Sequence, residues 1–254
     1  QEVTKEAFCI FEYVYIARPD STLNGRSIGK ARERSAEILF DEAPIEADMV
    51  MAVPDSGSTA AIAFAKKSGI PLGEGVIKNR YIGRTFIQPD PRMRELGVKI
   101  KFGPMVENLK GKRVVVVDDS IVRGTTMREF VALLKTYGAK EVHLRIACPP
   151  LTDPCFYGVD MPTKDELMAN KVGVNPYSKE VAEKVRAFLG ATSLAYLSLA
   201  GLIEAAGGDP KIDPQDTKFC TACLTGKYKV PLGGAQSKFQ LENPEYPSEL
   251  IEKE

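Results

Sequence analysis

Residues 114–126 read Val114-Val115-Val116-Val117-Asp118-Asp119-Ser120-Ile121-Val122-Arg123-Gly124-Thr125-Thr126, and they carry the clearest structural signal in the chain. The run of valines is typical of a buried strand, which ends at two adjacent carboxylates. A short loop then leads into a helix predicted over residues 125–137, because apolar residues recur on one face. These apolar residues are Met127, Phe130, Val131, Leu134 and Tyr137.

Two interpretations of this strand, loop and helix stay open on the residues alone. Successive loop amides and a helix N-terminus present N–H donors and a partial positive charge, which favour a bound phosphate. The hydroxyl groups of Ser120, Thr125 and Thr126 are further possible donors. Alternatively, Thr126-x-x-Glu129 is a capping box, and Asp118-Asp119 are simple turn residues.

Strand and helix patterns alternate around this stretch. Strands are predicted over residues 9–17, 47–53, 76–77, 113–117 and 141–147, and helices over 26–40, 59–67, 125–137, 178–189 and 196–206. The alternation predicts an α/β fold in which helices flank a mostly parallel twisted sheet, with ligands at the carboxyl ends of the strands. We expect a main domain over residues 1–206. A C-terminal segment of helix and loop over 207–254 carries a Cys pair and a polar tail without an interpretable motif.

Composition excludes several classes of protein. The 34 Lys and Arg residues balance 34 Asp and Glu residues, which argues against nucleic acid as a partner. No apolar run reaches the roughly 20 residues of a membrane-spanning helix, and the N-terminus lacks a signal-peptide pattern, so we expect a cytoplasmic protein without a membrane partner. His143 is the one histidine and lies in a predicted strand, where we expect a structural role. A Ser-His-Asp triad and a His-rich zinc site are therefore disfavoured.

Two nucleotide-binding motifs are missing from the sequence. Each Gly-Lys pair is followed by Ala, Arg or Tyr, so there is no G-x-x-x-x-G-K-[ST] loop of the P-loop hydrolases. No G-x-G-x-x-G opens a helix after a predicted strand, which argues against a dinucleotide site.

The 114–126 stretch resembles the phosphoribosyl pyrophosphate (PRPP) fingerprint of the type I phosphoribosyltransferases. Three further segments narrow the resemblance to the glutamine PRPP amidotransferase family, over residues from about 9 to 228. They are Ile77-Lys78-Asn79-Arg80-Tyr81-Ile82-Gly83-Arg84-Thr85-Phe86-Ile87, Arg18-Pro19-Asp20-Ser21 and Pro154-Cys155-Phe156-Tyr157-Gly158-Val159-Asp160. The resemblance implies a type I phosphoribosyltransferase fold. It also implies transfer of the phosphoribosyl group of PRPP to ammonia, which gives phosphoribosylamine and pyrophosphate in the first step of purine biosynthesis.

The resemblance also implies roles for individual residues. Asp118 and Asp119 would accept hydrogen bonds from the ribose 2′ and 3′ hydroxyls. The turn Asp55-Ser56-Gly57 would meet the pyrophosphate, with Mg²⁺ near Ser56, Asp118 and Asp119. The alternative for Asp55, and the minor one given the resemblance, is a plain turn residue. The 5′-phosphate would be bound by the loop residues Ser120, Ile121, Val122, Arg123, Gly124, Thr125 and Thr126.

A basic loop over residues 78–94 is expected to be mobile and to close over the substrate. The resemblance implies that Lys78 and Arg80 act on the leaving pyrophosphate, and that Tyr81 and Ile82 help to wall a passage for ammonia. Without the resemblance, a solvated basic loop would be the simpler interpretation.

Relatives of this kind carry a glutaminase domain that begins with a Cys, whereas this sequence begins with Gln1. We therefore expect ammonia-dependent activity, with glutaminase either removed or present as a separate subunit. Purine nucleotides are expected as inhibitors in the PRPP pocket, and a homo-oligomer is expected by family analogy. Two alternatives are a noncatalytic PRPP or nucleotide-binding regulator and a phosphoribosyltransferase that uses a nucleobase.

The cysteines suggest a second site. By spacing alone, Cys220-Thr221-Ala222-Cys223 could be a metal-binding pair, two buried thiols or a redox pair. Some relatives bind a 4Fe–4S cluster through four cysteines, and Cys9, Cys155, Cys220 and Cys223 stand in matching contexts. The resemblance thus implies a cluster that fastens the C-terminal segment to the first strand, with zinc as the alternative.

Overall fold

The computed structural model describes residues 6–79, 81, 101–173, 175 and 177–230. The strands are β1 (Phe8–Cys9), β2 (Thr22–Leu23), β3 (Arg26–Ser27), β4 (Met49–Ala52), β5 (Val76–Lys78), β6 (Phe102–Pro104), β7 (Arg113–Asp118), β8 (Glu141–Ile146), β9 (Ser193–Tyr196) and β10 (Phe219–Cys220). The α-helices are α1 (Ile28–Glu42), α2 (Ser58–Ser68), α3 (Val106–Leu109), α4 (Thr125–Thr136), α5 (Met168–Val172), α6 (Lys179–Leu189), α7 (Leu199–Ala205) and α8 (Ala222–Thr225). A π-helix spans Glu12–Ile16, and a 3₁₀ helix spans Lys164–Glu166.

A four-stranded parallel sheet in the order β4-β7-β8-β9 forms the centre of the protein. Val114 pairs with Met49 on one side and with Val142 on the other. Because side chains alternate along a strand, Val115 and Val117 join one core cluster, and Val114 and Val116 join the other. Burial on both faces explains the continuous apolar run and confirms the predicted α/β fold with a mostly parallel sheet.

Helices cover both faces of this sheet. The first core cluster contains apolar residues of α1, α2 and α7, including Leu39, Phe64 and Leu202. The second cluster contains apolar residues of α4 and α6, including Phe130 and Val185. The carboxyl ends of β4 and β7 lie next to each other, because the two strands pair in parallel with Ala52 opposite Val117.

Three local predictions are wrong. The predicted strand over residues 9–17 is a strand only at Phe8–Cys9 and continues as the π-helix Glu12–Ile16, because short apolar runs do not distinguish strand from buried helix. The predicted helix over 196–206 joins two elements: β9 ends at Tyr196, and α7 begins after Ser198, whose hydroxyl accepts the Gly201 N–H at 2.9 Å. Tyr137 follows α4 as its C-cap and is 40% exposed, so it does not belong to the buried face.

The structural role expected for His143 is confirmed. The ring is buried, with Nδ1 2.9 Å from the Ser193 hydroxyl and Nε2 3.1 Å from the Glu141 carboxylate. Burial lowers the pKa of His143. The ring therefore links β8 to β9 within the sheet.

The segment after residue 206 packs onto the start of the chain. Strand β10 pairs with β1 in parallel, with Cys220 opposite Cys9, and Phe219 and Leu224 join the first core cluster. The division into residues 1–206 and 207–254 stays a prediction. In the described ranges, no helix is both long and apolar enough to span a membrane.

Candidate active site

Two turns meet where the neighbouring strands β4 and β7 end. The turn after β4 contains Asp55, Ser56 and Gly57, and its Pro54–Asp55 peptide bond is cis. Val53 N–H donates to the Val117 carbonyl at 3.0 Å, which ties the two turns together. A Cβ atom on Gly57 would lie 2.5 Å from the Val117 carbonyl oxygen, so only glycine permits this approach.

The two adjacent carboxylates lie at this junction and are nearly buried. Asp118 is 9% exposed and Asp119 is 7% exposed. Burial raises the pKa of Asp118 well above its usual range, and the neighbouring Asp119 carboxylate adds to that shift. Burial also raises the pKa of Asp119, while hydrogen bonds from the Ser56 and Ser120 hydroxyls oppose the shift. The Ser120 hydroxyl donates to Asp119 Oδ1 at 2.7 Å, and Asp119 N–H donates to Asp118 Oδ1 at 2.9 Å.

The loop that follows leads into α4 without a side-chain cap. Gly124 is the N-cap residue, has φ of 77°, and makes no capping bond. The alternative interpretation, a capping box formed by Thr126 and Glu129, is not what the structure has. The helix begins at Thr125, and the Glu129 carboxylate accepts bonds from Arg128 instead. With the capping interpretation removed, the uncapped helix start favours the phosphate interpretation.

Neighbouring elements hold the same loop from outside. Met168 N–H donates to the Val122 carbonyl at 2.8 Å, and Arg123 Nε lies 3.1 Å from Glu166 Oε1. A Cβ atom on Gly124 would lie 2.8 Å from the Met168 sulfur, so Met168 packs closely against the loop backbone. Ile121 is buried and Val122 is partly buried, which fixes the loop to the core.

Lys78 brings a positive charge to the turn after β4. It ends β5, and its ammonium group pairs with the Asp55 carboxylate. Tyr81 is fully exposed, and its N–H donates to the Asn79 side chain at 3.0 Å. Arg80, Ile82 and nearly all of the predicted basic loop lie outside the described residues, as does the polar tail.

The structure thus brings together most of the predicted site. Asp55, Ser56, Gly57, Lys78, Asp118, Asp119 and Ser120 converge, and the loop through Thr126 adjoins them. Sequence reasoning missed Arg32, a buried residue of α1 that lines a small cavity with Ser56 and Asp119. The signal was present, because Arg32 shares the buried face of α1 with Ile28, Ser35 and Leu39 at helical spacing.

The four predicted cluster cysteines also come together, from three separate parts of the chain. Cys9 and Cys220 are paired across β1 and β10. Electrostatic interactions with Cys9, Cys155 and Cys220 raise the pKa of Cys223, after the larger effect of burial. Burial raises the pKa of Cys9 to about 11, while N–H groups of Phe11 and Glu12 bond to its sulfur.

Four thiols are a ligand type that suits either a 4Fe–4S cluster or zinc. Within the ranges that the structure describes, no three Cys, His, Asp or Glu side chains are arranged to hold one metal ion. Thr221 Oγ, in the loop between Cys220 and Cys223, is a buried side-chain oxygen that lacks a hydrogen-bond partner among the described residues. Buried polar atoms normally have partners, so a polar group is expected beside it.

Comparison with known proteins agrees with this geometry. The phosphoribosyl transferase domain family matches residues 20–156. Amidophosphoribosyltransferase of Archaeoglobus fulgidus is 50% identical over 235 residues, which are 91% of this chain and 48% of that protein. The enzyme of the same name from Methanocaldococcus jannaschii is 51% identical over 222 residues, 87% of this chain and 44% of that protein. The chain therefore spans about half the length of these relatives.

Solved structures extend the likeness to the fold. Glutamine PRPP amidotransferase from B. subtilis, complexed with ADP and GMP, superimposes with a TM-score of 0.76 at 44% identity, covering 90% of this chain and 48% of that chain. A structure described as the allosteric regulatory enzyme of purine biosynthesis gives a TM-score of 0.79 at 42% identity. The match covers 94% of this chain and 49% of that chain. These matches confirm the type I phosphoribosyltransferase fold, and the chain belongs to the phosphoribosyltransferase family.

Proposed function

We propose that this chain binds PRPP with Mg²⁺ and transfers its phosphoribosyl group to ammonia, giving 5-phosphoribosylamine and pyrophosphate in the first step of purine biosynthesis. The observation that carries the proposal is the nearly buried Asp118-Asp119 pair beside the Asp55-Ser56-Gly57 turn. The identity of about 50% to amidophosphoribosyltransferases supports the choice of reaction.

The proposed binding of PRPP divides the substrate among the two turns. The Asp118 and Asp119 carboxyl groups accept hydrogen bonds from the ribose diol through their oxygens. The loop from Ser120 to Thr126 binds the 5′-phosphate through its amides and hydroxyls, and its uncapped helix start supports that role. The turn from Asp55 to Gly57 binds the pyrophosphate.

The chemistry that we propose for these residues is electrostatic. As the bond from ribose C1 to the pyrophosphate oxygen breaks, positive charge develops on the sugar and negative charge on the leaving group. Lys78 exchanges its pairing with Asp55 for the pyrophosphate, and we assign Arg80 the same task. Ser56, Asp118 and Asp119 would hold Mg²⁺ nearby, which would supply further positive charge to the pyrophosphate. The fixed sugar then presents C1 to the ammonia nitrogen.

The nucleophile and the regulators are also part of the proposal. Ammonia enters past Tyr81 and Ile82, and a glutaminase unit in the same or a separate polypeptide releases it in the cell. Without that unit the chain uses free ammonia. The ADP and GMP of the B. subtilis relative support inhibition by purine nucleotides. We further propose a homo-oligomer in the cytoplasm.

We propose that Cys9, Cys155, Cys220 and Cys223 hold a 4Fe–4S cluster, with zinc as the alternative occupant. Convergence of the four thiols, the N–H bonds to Cys9 and the unpartnered Thr221 hydroxyl support the cluster. Its proposed role is structural, because it would join the chain segments around β1, Cys155 and β10. Anaerobically purified protein should be brown and contain iron and acid-labile sulfide in equal amounts. Stoichiometric zinc without iron would contradict the cluster.

Release of pyrophosphate from PRPP, Mg²⁺ and ammonium tests the proposed reaction. Asp118→Asn should cut the rate by at least 100-fold, because one of the two oxygens that can accept from the ribose is replaced by an amide donor. Asp41→Asn, which removes an exposed carboxylate paired with Lys67, is the control and should keep the wild-type rate. Full activity of Asp118→Asn would refute the ribose assignment.

The same assay separates the competing functions. Turnover with a purine or pyrimidine base but not with ammonium would identify a nucleobase phosphoribosyltransferase. PRPP binding without turnover by any acceptor would identify a regulator. Lys78 argues against the regulator, since a binding protein does not need a cation at the leaving group.

A further inference from the structure

We propose that Arg32 is a positioning residue for Asp119. Its charge helps to fix the Asp119 carboxylate across a cavity that is large enough for about one water molecule. The inference rests on the proposed function, in which Asp119 accepts a hydrogen bond from the ribose. Arg32 does not touch the substrate in this proposal. It holds the carboxylate that does.

Arg32 is fixed in place by backbone carbonyls of the π-helix and of the residue that follows it. It lies on the buried face of α1 and is 6% exposed. Its Nε donates to the Tyr13 carbonyl at 3.1 Å, and its Nη2 donates to the Ala17 carbonyl at 2.7 Å. Two bonds to two carbonyls orient the planar guanidinium group, so its charge has a defined position.

A polar cavity separates Arg32 from Asp119. It has a volume of about 10 Å³, and Arg32, Ser35, Ser56 and Asp119 are among its lining residues. That volume is at the lower limit for one water, and a buried water needs two to four polar partners. The guanidinium, the carboxylate and two hydroxyls meet this need, so we infer a water that bridges Arg32 to Asp119.

The charges of the two groups support this arrangement. A buried arginine is costly unless an opposite charge lies near it. Burial lowers the pKa of Arg32, and the Asp119 carboxylate opposes that shift. Asp119 is thus supported in two ways. The Ser56 and Ser120 hydroxyls bond to it, and the charge of Arg32 acts on it from the cavity. Support of this kind fixes a rotamer, and a misplacement of about 1 Å at a reacting site can cost roughly 100-fold in rate.

Arg145 offers a matched control for Arg32. It is 4% exposed, and it too donates to backbone carbonyls, from Nε to Ala43 at 3.1 Å and from Nη1 to Leu144 at 3.0 Å. Burial lowers its pKa to about 10 without an opposing carboxylate. Replacement of either arginine removes a buried cation and its backbone bonds. Only replacement of Arg32 removes a charge that acts on Asp119.

The test compares Arg32→Met, Arg32→Lys and Arg145→Met in full-length protein, by KM for PRPP, kcat and thermal unfolding. Arg32→Met should raise KM by at least ten-fold, Arg32→Lys should recover most of the loss, and Arg145→Met should lower the unfolding temperature while KM stays unchanged. If Arg32→Met does not fold, Arg32→Gln should show the same rise, because it keeps a donor but loses the charge.

Three outcomes would overturn the inference. One is a wild-type KM for PRPP in Arg32→Met or Arg32→Gln. Another is a rise in KM in Arg145→Met as large as that in Arg32→Met, which would indicate a general loss of packing. Both leave the proposed function intact, since the wild-type protein still turns over PRPP. If the wild-type protein releases no pyrophosphate from PRPP with any acceptor, the proposed function is overturned and the inference with it.

Discussion

Gly57→Ala tests whether the two turns must pack as closely as the structure shows. The added Cβ would lie 2.5 Å from the Val117 carbonyl oxygen and 3.1 Å from the Val53 carbonyl oxygen. Ordinary contact begins at 3.4 Å, so the first of these distances is about 0.9 Å too short. Both neighbours are backbone atoms, which cannot rotate away as a flexible side chain can. The turn that carries Asp55 and Ser56 must therefore move away from β7.

The size of the effect follows from this displacement. Overpacking of a tight contact costs about 1–3 kcal/mol, which corresponds to an unfolding temperature lower by roughly 2–12 °C for a chain of this size. The turn from Asp55 to Gly57, which we propose binds the pyrophosphate, would also be displaced by nearly 1 Å from Asp118, and this should reduce kcat/KM for PRPP by roughly 100-fold. The activity loss should exceed what the stability loss explains at 25 °C, because the protein remains folded at that temperature.

The assay is pyrophosphate release over a range of PRPP concentrations, together with thermal unfolding. Gly103→Ala is the matched control, because a Cβ on Gly103 would have its nearest neighbour, the Ile77 carbonyl oxygen, at 3.8 Å. We expect Gly103→Ala to retain both stability and kcat/KM. Wild-type kcat/KM in Gly57→Ala would refute the claim that the close approach of the turns forms the site.

Three further predictions concern Lys78, Asp48 and Cys9. Lys78→Met should lower kcat by at least 100-fold, because the proposed leaving group loses a cation. Lys135→Met, at the exposed end of α4, is the control and should keep the wild-type kcat. Equal kcat values for the two variants in a kinetic assay would contradict the role proposed for Lys78. Arg113 lowers the pKa of Asp48 to about 2, so its contribution to stability is complete above about pH 4 and is lost as the pH falls toward 2. Urea unfolding at pH 6, 4 and 3 should show this loss in the wild-type protein, and a parallel loss in Asp48→Asn would contradict it. Cys9→Ser should reduce bound iron and sulfide by more than half, and a full complement in chemical analysis would remove Cys9 from the ligand set.

Much of the fold could be predicted because it follows from local patterns. The valine run of β7 can be buried on both faces only within a parallel sheet covered by helices, and its core positions confirm this. The amphipathic pattern of α4 and the acids at the end of β7 then place two carboxylates beside a helix start. These features depend on residues that are close in sequence, so periodicity and turn chemistry are sufficient to find them.

The remaining features depend on contacts between distant residues. The π-helix Glu12–Ile16 is held by Arg32 from α1, and no local pattern in its apolar residues distinguishes it from a strand. The sequence could not decide between a capped and an uncapped start of α4, because the spacing of Thr126 and Glu129 matches a capping box. The structure decides it, since Gly124 is the N-cap residue and the helix begins at Thr125. Arg32 itself has the sequence signature of an ordinary helix residue, and its importance depends on where Asp119 lies.

A continuous set of contacts joins the cysteine site to the proposed ribose site. The π-helix begins three residues after Cys9, and the Tyr13 carbonyl within it accepts a hydrogen bond from Arg32, which acts on Asp119 across the cavity. A cluster that fixes Cys9 would therefore also fix the position of Arg32. We expect Cys9→Ser to raise the KM for PRPP, and Cys9→Ser combined with Arg32→Met to raise it by less than the product of the single effects, because both act through the same contacts. Thermal unfolding of the wild-type protein, the two single variants and the double variant separates this coupling from a general loss of stability. Independent effects, in which the two fold-changes multiply, would show that the cysteines stabilise the chain without acting on the ribose site.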